Sequence, residues 1–191
     1  MTDRRKVETP FDESRARSFR CGERILLSGV IYTARDAAHK RLVAALDGGE
    51  CPLDLAGQIL YYAGPAPAAP GHVIGPVGPT TSGRMDPYTV RLLQAGLRGM
   101  IGKGIRSPQV LSALGDYGAV YFGATGGAAA LLARCVRSCE VVAYEDLGPE
   151  AIRRLVVVDF PLVVVADSRG GDLYAEGPLA FRTEAKRHPE V

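Results

Sequence analysis

The segment between Gly75 and Asp86 constrains the fold more strongly than any other part of the sequence. It reads Gly-Pro-Val-Gly-Pro-Thr-Thr-Ser-Gly-Arg-Met-Asp and follows the apolar pair Val73-Ile74. Glycine accepts positive φ and proline has no N–H to donate, so this density of both excludes a helix interior and a central strand. A helical pattern from Met85 to Leu97 follows directly. The segment is therefore expected to be a turn that leads into a helix N-terminus.

This turn carries groups that are typical of an anion site. The hydroxyl groups of Thr80, Thr81 and Ser82 and the guanidinium of Arg84 lie beside the predicted helix N-terminus, which offers free N–H donors. A guanidinium also binds carboxylates and phosphates with two parallel hydrogen bonds. A capped helix start with a glycine-rich entry explains the same residues without a ligand. The segment alone leaves both interpretations open.

The composition indicates one substantial domain without a nucleic-acid or membrane partner. The chain has 191 residues, 47% of them hydrophobic and 23% charged, which is typical of a soluble globular protein. A formal net charge of +2 gives no basic face for nucleic acid. No apolar run approaches the ~18 residues of a membrane span. The first residues lack the apolar centre of a signal peptide, so a cytoplasmic location is expected.

The four cysteines are not expected to bind a metal. Cys21, Cys51, Cys135 and Cys139 are scattered and form no Cys-x-x-Cys pair of the kind found in zinc or iron–sulfur sites. Buried thiols in a reducing compartment are the simpler interpretation. The sequence therefore predicts that this chain does not hold a metal cofactor of its own.

Strand-like and helix-like patterns alternate along most of the chain. Residues 1–20 are predicted to be an N-terminal arm with a short helix at 12–19, residues 21–180 one domain, and residues 181–191 a charged tail. Strands are predicted at 24–31, 58–63, within 96–104, at 119–122, 136–144, 155–159 and 162–166, with Phe160-Pro161 interrupting the last two, and helices at 33–46, 85–97, 107–114 and 128–134. This alternation predicts an α/β fold with a mixed sheet.

Arg35 is unusual because it falls in the first turn of a predicted helix, where a cation opposes the helix dipole. Its presence is better explained if an acid neutralises it. A surface arginine with a neighbour four residues along is the alternative. His39 lies one turn later on the same face, where it either orients Arg35 or packs in the core.

Lys103 stands between two glycines after a short apolar run. In open α/β sheets ligands bind at the carboxyl ends of strands, so this lysine is a candidate ligand group, or else a solvated turn residue. A second glycine–hydroxyl turn covers Gly123–Gly127. Because no basic residue follows it closely, tight helix–strand packing is favoured there over phosphate binding, and no P-loop pattern is present.

Several motifs together resemble one family, across roughly residues 5–180. The motifs are Tyr32–His39, Gly78–Asp86, Ile101–Gly104, Tyr121–Gly127 and Val157–Pro161 with the turn Asp167–Asp172. They are similar to the β subunit, or C-terminal domain, of iron–sulfur-dependent class I fumarate hydratases and L-tartrate dehydratases. The resemblance implies a swivelling β/β/α domain, that is, an α/β fold with a mixed sheet flanked by helices.

The resemblance also implies a partner and a set of site residues. A [4Fe–4S] cluster is expected on a partner α subunit, within an α2β2 assembly, with no metal ligand on this chain. Thr80, Arg84 and Lys103 are implied as catalytic residues, and Arg35, Thr81, Arg84 and Lys103 as substrate-binding residues. Arg35 would bind a substrate carboxylate, and Thr80 would stand near the carbon that loses or gains a proton. Arg84 would hold a carboxylate or tune Thr80, and Lys103 would add another cation.

The implied reaction is the reversible hydration of fumarate to malate, with tartrate dehydration to oxaloacetate as the close alternative. Hydration of a methyl-substituted fumarate and a non-catalytic anion-binding or assembly module are further alternatives. Three converging cations would stabilise the extra charge that forms when a proton leaves a carbon next to a carboxylate. A threonine hydroxyl is a poor base unless nearby cations lower its pKa strongly. An exposed apolar face for the partner is also expected.

Overall fold

The computed structural model describes residues 4–185. The strands are β1 Arg5–Glu8, β2 Arg24–Thr33, β3 Ile59–Tyr61, β4 Gly99–Gly102, β5 Val120–Gly123, β6 Val136–Ala143 and β7 Ile152–Ala166. The α-helices are α1 Glu13–Ser18, α2 Asp36–Gly48, α3 Asp86–Gln94, α4 Pro108–Tyr117, α5 Ala129–Arg134 and α6 Leu173–Ala185. Short 3-10 helices lie at Ser82–Met85, Gly126–Ala128 and Glu145–Glu150.

The strands form one mixed sheet, as the sequence predicts. Strands β1 to β5 lie side by side in chain order, and each pairs in parallel with the next. The long strand β7 is antiparallel to β5, β6 and β2. Because β7 pairs with both β5 and β2, the strands β2, β3, β4, β5 and β7 are linked in a ring. The prediction of an α/β fold with a mixed sheet and flanking helices is confirmed.

Hydrophobic residues cover both faces of the parallel strands. In β3, Ile59 and Tyr61 belong to one buried cluster, while Leu60 on the opposite face and Tyr62 after the strand belong to a second, which includes residues of α2, α3 and α4. Successive side chains of a strand point to opposite faces, so a strand covered on both sides is apolar throughout. This explains why these strands appear in the sequence as short continuous apolar runs.

The first twenty residues contribute to the core. Strand β1 pairs in parallel with β2, and Val7, Phe11 and Phe19 are buried in the same cluster as β2. The predicted arm at residues 1–20 therefore takes part in the packing of the core. The predicted domain boundary at residue 21 stays a prediction. At the other end, α6 reaches Ala185 and was not foreseen, and the rest of the predicted tail lies outside the described residues.

The prediction that Phe160-Pro161 interrupts a strand is wrong, because β7 runs continuously through both residues. A bulge makes this possible: Val158 and Asp159 together oppose the single residue Ser28, and Asp159 has φ of 50°. Pro161 lies where β7 pairs only with β2, beyond the residues that pair with β6 and before those that pair with β5. The N–H that Pro161 lacks is therefore not needed for a hydrogen bond to a second neighbouring strand.

Candidate active site

The predicted site residues lie at the carboxyl ends of three neighbouring parallel strands. Arg35 follows β2 as the N-cap residue of α2, Thr80 and Arg84 belong to the segment that follows β3, and Lys103 comes directly after β4. Backbone hydrogen bonds continue the pairing past the strand ends, from Thr80 N to the carbonyl of Tyr62 at 2.7 Å. The order of the parallel strands therefore brings three distant sequence segments to one edge of the sheet.

Thr80 and Lys103 are held together by their backbones. The N–H of Lys103 donates to the carbonyl of Thr80 at 3.3 Å, and the N–H of Ser82 donates to the carbonyl of Lys103 at 2.8 Å. Thr81 and Lys103 thus form a parallel bridge. The close approach requires Gly102, because a Cβ there would collide with the hydroxyl of Ser82. The turn at 75–86 therefore adds a short parallel pairing beside the end of β4.

Arg84 joins this segment to the start of α2. Its Nη2 donates to Thr80 Oγ1 at 2.6 Å and lies 3.3 Å from Asp36 Oδ2. Asp36 is the residue after Arg35, so the contact links the turn at 75–86 with the motif at 32–39. Arg84 remains about half exposed. The guanidinium therefore contacts the hydroxyl that the resemblance implies as a base and keeps accessible surface for a ligand.

Arg35 is neutralised within the chain. Its Nη2 lies 3.6 Å from Glu150 Oε1, while Glu150 Oε2 accepts a hydrogen bond from the N–H of Ala37 at 3.0 Å. The Glu150 carboxylate thus balances the charge of Arg35 and also accepts from a free N–H at the N-terminus of α2. Gly64 lets Arg35 lie close to the chain, because a Cβ there would stand 3.1 Å from Nη1. The Nε atom of Arg35 is buried and has no hydrogen-bond partner among the described residues.

Lys103 and Thr81 are the freest of the candidate residues. Both are exposed, and Lys103 forms no ion pair within residues 4–185. The hydroxyl of Thr81 does not cap the 3-10 helix that follows it. The charged side chains of the site are Arg35, Arg84 and Lys103 against Asp36 and Glu150. Three cations and two carboxylates leave a net charge of +1, less positive than the sequence alone indicates.

A buried polar network that the sequence analysis missed supports this edge from below. The side chain of Arg106 has no exposed surface; its Nε donates to Asp86 Oδ1 at 2.7 Å and its Nη2 to Thr89 Oγ1 at 2.7 Å. The other oxygen of Asp86 accepts from the N–H of Ser107 at 2.6 Å. Asp86 and Arg106 are twenty residues apart, so no local sequence pattern indicates the role of Arg106. Asp86, the last residue of the motif Gly78–Asp86, was the feature from which a buried partner could have been expected.

His39 belongs to the core. It is fully buried, its ring centroid lies 5.0 Å from that of Tyr62, and its Nδ1 lies 2.8 Å from the carbonyl oxygen of Arg35. A carbonyl only accepts, so Nδ1 carries the proton and donates to it. Burial lowers the pKa of His39 to about 4. Both alternatives for this residue thus hold in part: it packs, and it contacts the backbone that carries Arg35.

The second glycine–hydroxyl turn is tightly packed at Gly123 and Ala124, whereas a Cβ on Gly127 would meet nothing within 4 Å. The N–H of Ala124 donates to the carbonyl of Gly102 at 3.0 Å, and a Cβ on Gly123 would lie 2.6 Å from a methyl group of Val165. These contacts favour the packing interpretation of residues 123–127 over phosphate binding.

The described residues do not fit an iron–sulfur cluster. Within residues 4–185, no three His, Cys, Asp or Glu side chains lie where they could hold a metal ion. Burial raises the pKa of the Cys21 thiol to about 11, and burial also raises the pKa of Cys135 and Cys139. Cluster ligands are thiolates, which these environments disfavour.

In the same part of the chain, no helix is long and apolar enough to cross a membrane.

Comparison with known proteins identifies the class of domain that this fold and site represent. Residues 2–177 match the family described as Fumarase C-terminus, and the chain therefore belongs to that family.

The relatives are longer enzymes and a separate subunit. The chain is 42% identical over 156 residues to "Fumarate hydratase class I, aerobic" of Escherichia coli K12, which covers 80% of this chain and 28% of that protein. It is 38% identical over 176 residues to "Fumarate hydratase 2" of Leishmania major, covering 89% and 31%. It is 38% identical over 167 residues to "Putative L(+)-tartrate dehydratase subunit beta" of Methanocaldococcus jannaschii, covering 84% and 86%. The chain thus spans less than a third of those fumarate hydratases but most of the tartrate dehydratase subunit.

Proposed function

We propose that this chain is the β subunit of a hydro-lyase that hydrates fumarate to malate reversibly, together with an α subunit that carries a [4Fe–4S] cluster. The family and the names of the relatives support a hydro-lyase role. One observation carries the assignment to this site: Arg84 Nη2 lies 2.6 Å from Thr80 Oγ1, and Lys103 is hydrogen-bonded to the Thr80 backbone. The Thr80 hydroxyl therefore contacts one cation directly, and the backbone of a second cationic residue is bonded beside it, in three residues that the family resemblance implies as catalytic.

The chain's own side chains would perform two tasks in this reaction. Lys103, Arg84 and Arg35 would hold the two carboxylates of the substrate, with Thr81 as a further hydrogen-bonding group. Thr80 would exchange a proton with the substrate carbon, since the Arg84 guanidinium beside its oxygen favours the alkoxide. The same cations would stabilise the charge that develops on the adjacent carboxylate. The partner's cluster would supply the Lewis acid for the hydroxyl group.

Dehydration of L-tartrate to oxaloacetate is the second candidate. It is supported by the 38% identity over 167 residues to a protein named as a putative L(+)-tartrate dehydratase subunit beta. Fumarate and tartrate are both four-carbon dicarboxylates, so the same cations would serve both reactions. The remainder of the pocket, on the partner, would then decide between the two substrates.

The experiment co-expresses the chain with a cluster-binding α subunit, sought first in the neighbouring reading frames, and assays the anaerobic complex with fumarate, malate and tartrate. Turnover of fumarate at least tenfold above tartrate supports the first candidate, and the reverse supports the second. In the same complex, Thr80→Val should lower kcat at least 1000-fold while the substrate Kd changes less than threefold. Thr80→Ser, which keeps the hydroxyl, is the matched control. Equal losses in kcat and affinity would show that Thr80 only positions the substrate, and no turnover of any of these acids would refute the proposed function.

A further inference from the structure

The backbone of Lys103 is held on one side by its hydrogen bonds with Thr80 and Ser82, but the glycines next to it do not fix their own conformation. Glycines flank it on both sides, and Gly104 has φ of +86°, a region that glycine enters without strain. The side chain is exposed and without an ion pair in the described part of the chain. The direction of its side chain therefore also depends on what holds the neighbouring residue Gly104.

A buried tyrosine holds the carbonyl of Gly104. The hydroxyl of Tyr121 lies 2.9 Å from the oxygen of Gly104 and 2.9 Å from Ser82 Oγ, and Tyr121 is 1% exposed. A phenol has one proton and a carbonyl only accepts, so Tyr121 donates to Gly104 and accepts from Ser82. One buried hydroxyl thus connects the residue after Lys103 to the segment that carries Thr80.

A second tyrosine holds the N–H of the same residue from the opposite end of the chain. The N–H of Gly104 donates to the hydroxyl of Tyr174 at 2.9 Å. Tyr174 lies in the first turn of α6, which is anchored because Asp172 bridges to Ala166 and its Oδ1 accepts from the N–H of Tyr174 at 3.0 Å. Both hydrogen-bonding groups of Gly104 are therefore taken by tyrosine hydroxyls, of which Tyr121 begins the motif Tyr121–Gly127 and Tyr174 lies in none of the motifs.

We propose that Tyr121 and Tyr174 are positioning residues for Lys103. Together they form a clamp on the Gly104 peptide that keeps the Lys103 ammonium directed at the bound carboxylate. The proposal rests on the proposed function in one respect, namely that Lys103 binds the substrate. It adds that helix α6, about 70 residues further along the chain, sets the position of a catalytic cation.

The clamp itself can be tested on the full chain without any assay of activity. Tyr174→Phe keeps the ring and removes the hydroxyl that accepts from the N–H of Gly104. Hydrogen exchange of the Gly104 amide, measured by NMR, should become at least fivefold faster in this variant. Tyr117→Phe is the matched control, because its hydroxyl accepts from Gln94 at 3.2 Å on another surface. An unchanged Gly104 rate in Tyr174→Phe would overturn the clamp.

The functional consequence is tested in the complex with the cluster-bearing partner. Tyr174→Phe should lower kcat/KM for fumarate about tenfold while Tm stays within about 2 °C of the wild type, and Tyr117→Phe should change neither. Tyr121→Phe should lower kcat/KM further but also lower Tm, because it leaves buried polar groups without partners. Full activity of Tyr174→Phe would overturn the proposal.

A double-mutant cycle with Lys103→Met tests the role of Lys103 in catalysis separately from the clamp that acts on it. If the clamp acts through Lys103, Tyr174→Phe causes no further loss once Lys103 is replaced, and an additive tenfold loss contradicts the proposal. If Lys103→Met alone keeps wild-type kcat/KM, the proposed role of Lys103 in catalysis fails, while the exchange measurement still decides whether the clamp exists.

Discussion

At the scale of single residues, the site balances cations against carboxylates of the chain itself. Asp36 neutralises Arg84, and Glu150 neutralises Arg35. Both pairs are partly exposed, so each is worth about 0–1 kcal/mol and can be exchanged for a better partner. Under the proposed function, a dicarboxylate with two correctly placed oxygens would replace Asp36 or Glu150 at modest cost. In the structure these acids hold the guanidinium groups in place.

His39 gives a prediction at this scale. It is buried and neutral in the fold, with its pKa lowered by burial to about 4, whereas an unfolded histidine titrates near 6.5. Between these values the unfolded chain binds a proton that the folded chain does not, so stability falls as the pH falls. From pH 7 to pH 5 the contribution of His39 should cost about 2 kcal/mol of unfolding free energy. Urea unfolding at both pH values measures it.

Two variants isolate this effect. His39→Gln removes the titrating group and should flatten the stability profile between pH 7 and pH 5, whatever its effect on stability at pH 7. His72→Gln removes an exposed histidine and should leave the profile unchanged. A profile for His39→Gln as steep as that of the wild type would show that other groups cause the loss.

At the scale of elements, the ends of the parallel strands organise the site. Gly102 ends β4 where Ser82 and Tyr62 pack against it. The connections after β2 and β4 bring their first residues, with Arg35 and Lys103, to this edge, whereas the long connection after β3 brings Thr80 there near its end. The site therefore depends on how closely the segment after β3 can approach the end of β4.

Gly102→Ala tests this close approach. The added Cβ would collide with Ser82 Oγ and stand 3.0 Å from Tyr62 Cδ2, so the segment carrying Thr80 must move. We expect a loss of about 1–3 kcal/mol in unfolding free energy, the usual cost of overpacking. Gly127→Ala, where a Cβ meets nothing within 4 Å, should change the urea midpoint little. Equal midpoints for Gly102→Ala and the wild type would contradict the packing described for this edge.

The sequence allowed the strand-end residues to be predicted, but not their partners. Lys103 and Arg35 were recognised because glycine flanks and a helix start place them after strands, which is local information. Glu150 and Arg106 could not be recognised, because each meets its partner only after the sheet is assembled. The continuity of β7 through Pro161 was missed for a related reason. A proline is tolerated there because β7 pairs only with β2 at that point, and the pairing of strands cannot be recognised in the sequence.

At the scale of the whole molecule, the N-terminal residues are part of the core that supports the sheet. Phe19 packs edge-on against Phe122 of β5 with ring centroids 5.2 Å apart, and Phe11 lies 5.2 Å from Phe19. These contacts connect α1 with the middle of the sheet. Loss of one of these rings should therefore affect the unfolding of the entire domain.

Phe19→Ala measures this coupling. Removing a fully buried phenylalanine should lower the unfolding free energy by about 3–5 kcal/mol. The transition followed by circular dichroism should stay single and shift as a unit. Arg15→Ala, an exposed change in the same helix, should shift it by less than about 0.5 kcal/mol. A separate early transition of the N-terminal residues would show that they fold independently.

Strand β7 has a consequence for how the chain is made. The edge of β2 from Arg24 to Thr33 finds its partner only in residues 153–163. During synthesis, more than a hundred residues must leave the ribosome before that edge is covered. Until then the nascent chain exposes an unpaired, strongly apolar strand, the kind of edge that invites aggregation. Translation of residues 34–152 is thus the interval in which this protein most needs a chaperone.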